Sequence, residues 1–286
     1  MHNQRRDFLK KSALAGLYLS LGGCCTPSEK AKKKIGFIAG GLLRDPLEKD
    51  WEGTLRKLAD MGYKYIESGR VFGDDPDYYR NFLKETGLIT FTDSITMAGL
   101  LAEDELKEKI EDMQEWNNKY LVCYWPWMDD GLNKKLDDFK LMADQFNKAG
   151  QICKDSNIRL AMHNHEKEFV DVGDGKVGID IFLEETDPDL VTVELDLYWC
   201  RFGNGDPIEL IKKYPGRFEI YHVKDMDGTP ERFFACPGSG IIDFAEIFKL
   251  DDISGVKYHI VEVDRNPDPI PCMESSFKYL DGVLNG

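Results

Sequence analysis

The sequence predicts an α/β fold, a (β/α)8 TIM barrel, on three observations. From Lys34 onward, short β-rich runs alternate with longer amphipathic stretches eight times, with no linker-like break between them. Such a series implies a parallel sheet, because parallel strands need long crossover connections. The 286 residues also leave room for one closed barrel, whose usual length is about 250. No G-x-G-x-x-G follows the first strand, which argues against an open dinucleotide-binding sheet.

The elements follow in order. "KIGFIAG" (34–40) is an apolar run ending in glycines. In "DWEGTLRKLADMG" (50–62), Trp51, Leu55, Leu58 and Met61 fall at helical spacing before a closing glycine. The second strand is "YKYIES" (63–68), followed by helix 75–87. The third is "LITFTDSI" (88–95) with helix 104–117, and the fourth "KYLVCYW" (119–125) with helix 132–155. "RLAMHNHEKEF" (159–169) carries the fifth strand and "VGIDIFLEET" (177–186) its helix. "VTVELDLYW" (191–199), helix 206–216, "FEIYHVKD" (218–225), helix 242–250, "KYHIVEVD" (257–264) and helix 272–284 complete the eight units. The glycines of "GSGIIDF" (238–244) read as a turn before a helix rather than a phosphate cradle.

The first thirty residues are set apart. Arg5-Arg6 and Phe8-Leu9-Lys10 precede an apolar stretch, Ala13 to Leu21, far shorter than the roughly 20 residues of a membrane span. This resembles a twin-arginine export signal, and Leu21-Gly22-Gly23-Cys24 resembles a lipobox whose Cys24 is lipidated. The expected organisation is a signal peptide over 1–23, a tether over 24–33 and a barrel over 34–286. The expected location is periplasmic, with membrane contact through the lipid anchor alone. Of seven cysteines, the five beyond Cys25 (Cys123, Cys153, Cys200, Cys236 and Cys272) are widely spaced, signalling neither a zinc knuckle nor a regular disulfide framework.

The formal charge is −15, and residues 1–23 carry a net +3, so the remainder stands at −18. Nucleic-acid binding relies on Lys and Arg neutralising phosphates, so this acidity argues against it. A small neutral substrate, a carbohydrate, or a metal cation is the expected partner.

Catalytic groups of a barrel stand at the C-terminal ends of its strands. The second strand ends in Glu67. The fifth delivers His163 and His165 on one face, because side chains alternate with period two. The sixth presents Glu194 and Asp196, the seventh His222 and Lys224, and the eighth Glu262 with Asp264 beyond it. Asp196, His222 and Glu262 are expected at one depth of consecutive strands. Buried carboxylates and imidazole are costly unless paired or bound to a cation. A mixed oxygen and nitrogen set suits one divalent ion such as Mn, Co, Zn or Mg. His259, on the opposite face of the eighth strand, is expected to pack against outer helices.

Taken together, "AMHNHEKEF", "VELDLYW", "YPGRFEIYHVKDMDG", "GSGIIDF" and "IVEVDRNPDP" resemble motifs of the xylose isomerase-like TIM-barrel superfamily, the sugar phosphate isomerase/epimerase family, in order and over roughly 34–284. The resemblance implies a divalent metal held by His163, Asp196, His222 and Glu262. Ketose epimerases of the family commonly present Glu at the position of His163, whereas the inosose-dehydratase-like branch, like this chain, presents His. That departure leaves Glu262 as the matched base, with His165 and Lys224 available for a second proton transfer or for polarising a substrate oxygen. Glu67 is expected to bind substrate hydroxyls. Trp125, Trp127, Tyr198 and Trp199 could wall a sugar ring or simply pack.

The leading expectation is a metal-dependent isomerase or epimerase of a carbohydrate, working through an enediolate. The alternative is a lyase or hydratase acting on a ketosugar such as an inosose or a 3-keto-glucoside. A non-catalytic, lipid-anchored sugar-binding protein is a third reading, and a barrel nuclease a fourth that the acidity disfavours.

Overall fold

The computed structural model describes residues 33–67, 71–131 and 133–286. The export signal over 1–23, the lipidation site Cys24 and the tether up to residue 32 lie outside them.

Eight parallel strands form the barrel: Lys34–Ile38, Tyr65–Glu67, a third in two pieces (Ile89–Thr90 and Thr92–Ser94), Tyr120–Cys123, Arg159–His163, Val191–Asp196, Ile220–Val223 and Tyr258–Val261. The break at Phe91 is the seam. Ile89–Thr90 pairs with the second strand and Thr92–Ser94 with the fourth, so chain continuity through one residue closes the ring. Phe91 carbonyl oxygen accepts from the amides of Lys119 and Tyr120 at 2.8 and 3.1 Å, which holds the seam shut.

The helices begin where the sequence signals them. Asp50, Asp75 and Asp206 each accept backbone N–H bonds at a helix start, and Pro76 and Pro207 follow two of them where a missing N–H costs nothing. The main hydrophobic core lies between strands and helices. A second, inner plug of Phe91, Tyr120, Val122, Ala161, Ile220, Tyr258 and Ile260 fills the barrel below the site. Gly36 is required there: a Cβ on it would fall 2.7 Å from Ile260 Cδ1 and 2.6 Å from Tyr65 O.

Two expectations need correction. The sixth strand ends at Asp196 rather than at residue 199, and Leu197–Phe202 is a short helix. Asp196 causes the switch, since its side chain accepts the Trp199 N–H as an N-cap. Cys236 and Cys272 form a disulfide with Cα atoms 5.5 Å apart, although their spacing of 36 residues gave no sign of it. Cys123, Cys153 and Cys200 are free and buried, as small apolar residues often are. No described helix is long and apolar enough to cross a membrane.

Candidate active site

The fifth to eighth strands deliver their polar residues to one point. His163 is in register with Glu194, and His222 with Asp196. The residue of the eighth strand level with His222 is Ile260, so Glu262 starts two positions higher than the sequence suggests. Its side chain reaches back, placing Oε2 2.8 Å from His222 Nδ1. Asn164 fixes the end of the sixth strand, accepting the Asp196 N–H at 2.9 Å and donating to the Asp196 carbonyl at 3.3 Å.

The two histidines are oriented by carboxylates. His163 Nδ1 faces Glu194 Oε2 at 2.9 Å, and its Nε2 points toward Asp196 Oδ2, 3.9 Å away. His222 Nε2 lies 2.7 Å from Glu67 Oε1 and 3.2 Å from Glu194 Oε2. For His163 such a partner fixes the tautomer and leaves Nε2 free to ligate, whereas His222 has a carboxylate at each ring nitrogen, Glu262 at Nδ1 and Glu67 with Glu194 at Nε2. Lys224 Nζ contacts Glu262 at 3.0 Å, Asp264 at 2.8 Å and Asp196 at 3.5 Å.

Burial sets the electrostatics. It pushes the Asp196 carboxyl up to about 7 despite the nearby Lys224 ammonium. It pushes Glu194 well above the ordinary carboxylate range, and the neighbouring Glu67 adds to that. It acts to lower His222, but Glu194, Glu67 and Glu262 outweigh it and hold the imidazole above its ordinary value. Burial would likewise raise Glu262, yet Lys224 and His222 keep that carboxylate well below its usual range. The His165 imidazole is pushed down to about 4 by burial and by the Lys224 charge, so it is neutral near pH 7.

The residues fit a divalent cation. His163, Asp196, His222 and Glu262 offer donor atoms within 4.8 Å of one another. Asp196 Oδ2 is buried and accepts no hydrogen bond among the described residues, with Lys224 Nζ no nearer than 3.5 Å, which leaves a costly unfilled acceptor that a bound cation would satisfy. Glu67, Glu194 and His222 form an overlapping set. Only the first set opens onto the cavity, through Glu262.

That cavity, of about 730 Å3, is lined by His165, Lys224 and Glu262, by Trp199 and Phe234, and by rim residues including Arg44, Asp264 and Arg265. Glu67 and Tyr198 are not on the lining. Glu67 is fully buried, accepts from Tyr124 OH at 2.6 Å and engages His222 Nε2 at 2.7 Å. Tyr198 is buried and donates to the Arg232 carbonyl at 2.7 Å. Trp125 stands beside the site, its ring 5.1 Å from that of His165, and lines a smaller cavity of about 370 Å3 with Trp127. Trp127 packs on Phe139 and donates to Glu168, a structural role. His259 faces outward, buried against Phe248 and Asp251, as its position on the strand predicts.

Sequence reasoning missed Asn164, Tyr124, Phe234 and the two rim arginines. Asn164 sits between His163 and His165, and a polar residue at a strand terminus was its available signal. Nothing local marks the others, because loops far apart in the chain bring them together.

The family profile described as xylose isomerase-like TIM barrel matches residues 55–280. An inosose dehydratase of Clostridium beijerinckii is 30% identical over 292 residues, 87% of this chain and 96% of that protein. An inosose dehydratase of Geobacillus kaustophilus is 26% identical over 273 residues, 81% of this chain and 87% of that protein. A crystal structure of a sugar phosphate isomerase/epimerase from Parabacteroides distasonis superposes with a TM-score of 0.74 at 27% identity, covering 90% of this chain and 97% of that one. With the barrel, its strand-end cluster and these likenesses in view, the chain belongs to the xylose isomerase-like TIM-barrel family.

Proposed function

We propose that this carbohydrate-modifying barrel enzyme is a divalent-metal-dependent lyase of the dehydratase kind, removing water from a ketosugar such as an inosose or a 3-keto-glucoside. Its near full-length likeness to inosose dehydratases, at 30% identity, carries this choice over the isomerase that the strand-end residues first suggest.

His163, Asp196, His222 and Glu262 would hold the cation. Bound there, it supplies Lewis acidity to a ketone, lowering the cost of removing the neighbouring proton. Glu262, ionised and on the cavity lining, takes the proton from the carbon next to the ketone. The electron pair left on that carbon forms a double bond to the next one as its C–O bond breaks. His165 lines the cavity, and its neutral imidazole is placed to hydrogen-bond the departing oxygen. The departing oxygen takes a proton from solvent and leaves as water, and Glu262 releases the abstracted proton to solvent, so the net change is loss of one water. The Lys224 ammonium, also on the lining, keeps Glu262 ionised and polarises substrate oxygens. Trp199 and Phe234 offer an apolar wall to a ring.

Isomerisation or epimerisation is the second reading, favoured by the likeness to the Parabacteroides distasonis isomerase/epimerase. Incubation with inososes and 3-keto-glucosides in D2O, followed by NMR, separates the two. Elimination products support the lyase; deuterium incorporation with the carbon skeleton and hydroxyls intact overturns it in favour of isomerisation.

Export as a lipoprotein remains part of this proposal. The Cys236–Cys272 disulfide supports it, since disulfides persist in oxidising compartments. Labelling with a radioactive fatty acid, lost on Cys24→Ala, is the expected result.

A further inference from the structure

Arg44 and Arg265 stand out among the described arginines. Arg56, Arg80, Arg159, Arg201, Arg217 and Arg232 each hold an ion pair or a hydrogen bond. The side chains of Arg44 and Arg265 hold none among the described residues, and both residues line the cavity of the candidate active site. Composition makes this unusual, because 52 acidic residues against 37 basic ones leave partners in excess.

Their placement is coordinated. Arg44 follows the first strand and Arg265 the eighth, and these strands pair in parallel, Phe37 opposite Val261. The loops above them are fastened together, with Leu42 N donating to Val263 O at 2.8 Å. Gly41, at φ +52, permits that approach, since a Cβ there would fall 2.6 Å from Val263 O. Two exposed guanidinium groups are thus carried on one stitched rim.

The third cation of the lining, Lys224, is already committed to Glu262, Asp264 and Asp196. Lys224 also occupies Asp264, which leaves Asp45 as the rim carboxylate without a partner. Arg44, Lys224 and Arg265 balance Asp45, Glu262 and Asp264 on the lining, and the two guanidinium groups are the cations there whose side chains have no protein partner among the described residues, in a protein of charge −15. A guanidinium fork matches the oxygens of a carboxylate or a phosphate in pairs. Against so acidic a surface, an anionic substrate needs such a local cationic patch to approach.

We infer that Arg44 and Arg265 form an anion subsite, so that the ketosugar of the proposed reaction carries a carboxylate or a phosphate away from its ketone. This rests on the lyase reading for the word ketosugar, while the anion preference is a binding property that can be measured without turnover.

Calorimetric titration of the full chain with D-glucose, D-glucuronate and D-glucose 6-phosphate, at low and high salt, tests it. At least one anionic probe is expected to bind about tenfold tighter than glucose at low salt, with the advantage shrinking as salt rises. Whichever anionic probe gains more identifies carboxylate or phosphate as the group recognised. Arg44→Ala with Arg265→Ala should bring the anionic probes to within about twofold of glucose and leave glucose unchanged. The paired Lys replacements, a second variant should the alanines unfold, should retain part of the advantage. Equal binding of all three sugars, or an advantage that survives loss of both arginines, overturns the subsite. Failure to eliminate water from any ketosugar, with the anion preference intact, would instead overturn the lyase reading alone.

Discussion

The two ends of the barrel interior treat charge in opposite ways. At the N-terminal end, Glu219 accepts from Tyr120 OH at 2.6 Å, Arg159 Nε at 3.0 Å and Lys257 Nζ at 2.6 Å. One carboxylate meets three donors, and the Lys257, Tyr120 and Arg159 contacts outweigh burial and hold Glu219 below its usual range. At the C-terminal end, Glu67, Glu194, Asp196, Glu262 and Asp264 crowd around Lys224 and two histidines, and Glu67 Oε2, Glu194 Oε1 and Asp196 Oδ2 are buried without hydrogen bonds. The first arrangement stabilises the fold. The second is satisfied only by something more, and that surplus of negative charge is what a cation site requires. The contrast follows the division of labour general to this fold, with stability below and chemistry above.

Replacing a charge at each end should separate these roles. The largest effect is expected for Asp196→Asn, which should lower turnover by about 10^3-fold or more while leaving the melting temperature unchanged or raised. A loss of both together would mean that the upper cluster is structural. Glu219→Ala should do the reverse. It strands two cations and a phenol, and should cost about 3 kcal/mol, or roughly 6–12 °C in melting temperature, with activity per folded molecule unchanged.

Chelation comes next. A cation that binds only the folded chain stabilises it by about 2.7 kcal/mol when present at a hundred times its dissociation constant. Treatment with a chelator should therefore lower the melting temperature of the wild type and of Glu219→Ala alike, and leave Asp196→Asn almost unmoved. Equal shifts in all three proteins would place the cation elsewhere.

The smallest effect concerns Glu168, beside the site but outside the donor set. Burial pushes its carboxyl up to about 7, against the hydrogen bonds from His165 N and the Trp127 indole. A raised folded value means that the folded chain keeps a proton the unfolded chain has released. Its contribution is full below the ordinary carboxylate range and is lost as pH rises through about 7. His165, pushed down to about 4, acts in the opposite sense, because stability falls as acid protonates the unfolded imidazole. Urea midpoints from pH 4.5 to 8 should show Glu168→Gln gaining on the wild type as pH rises. A difference independent of pH would mean that Glu168 is ionised throughout.

Much of this was legible residue by residue. The alternation from Lys34 onward specifies the barrel, since each apolar run and each amphipathic stretch carries its own period. Period two puts His222 and Lys224 on one inward face and sends His259 outward, where it packs on Phe248. Other features resisted for identifiable reasons. The sixth strand reads through to residue 199 because "VELDLYW" has strand propensity throughout, while the Asp196 cap that ends it depends on the side chain turning toward Trp199 N. The strand-end position of Glu67 points it toward the site, but position alone does not name its partners. Its real neighbours, Tyr124 and His222, come from strands far away in sequence.

The sequence by itself determined the eight-unit barrel and which strands carry the donors, because periodicity and strand-end position are local properties. Only the tertiary structure decided how deep Glu262 starts, which ring nitrogens the carboxylates engage, that Phe91 is the seam, and that Cys236 meets Cys272. It alone brought Arg44 and Arg265 to one rim. These are distances between residues remote in the chain, set by strand register and barrel closure, and no local pattern encodes them.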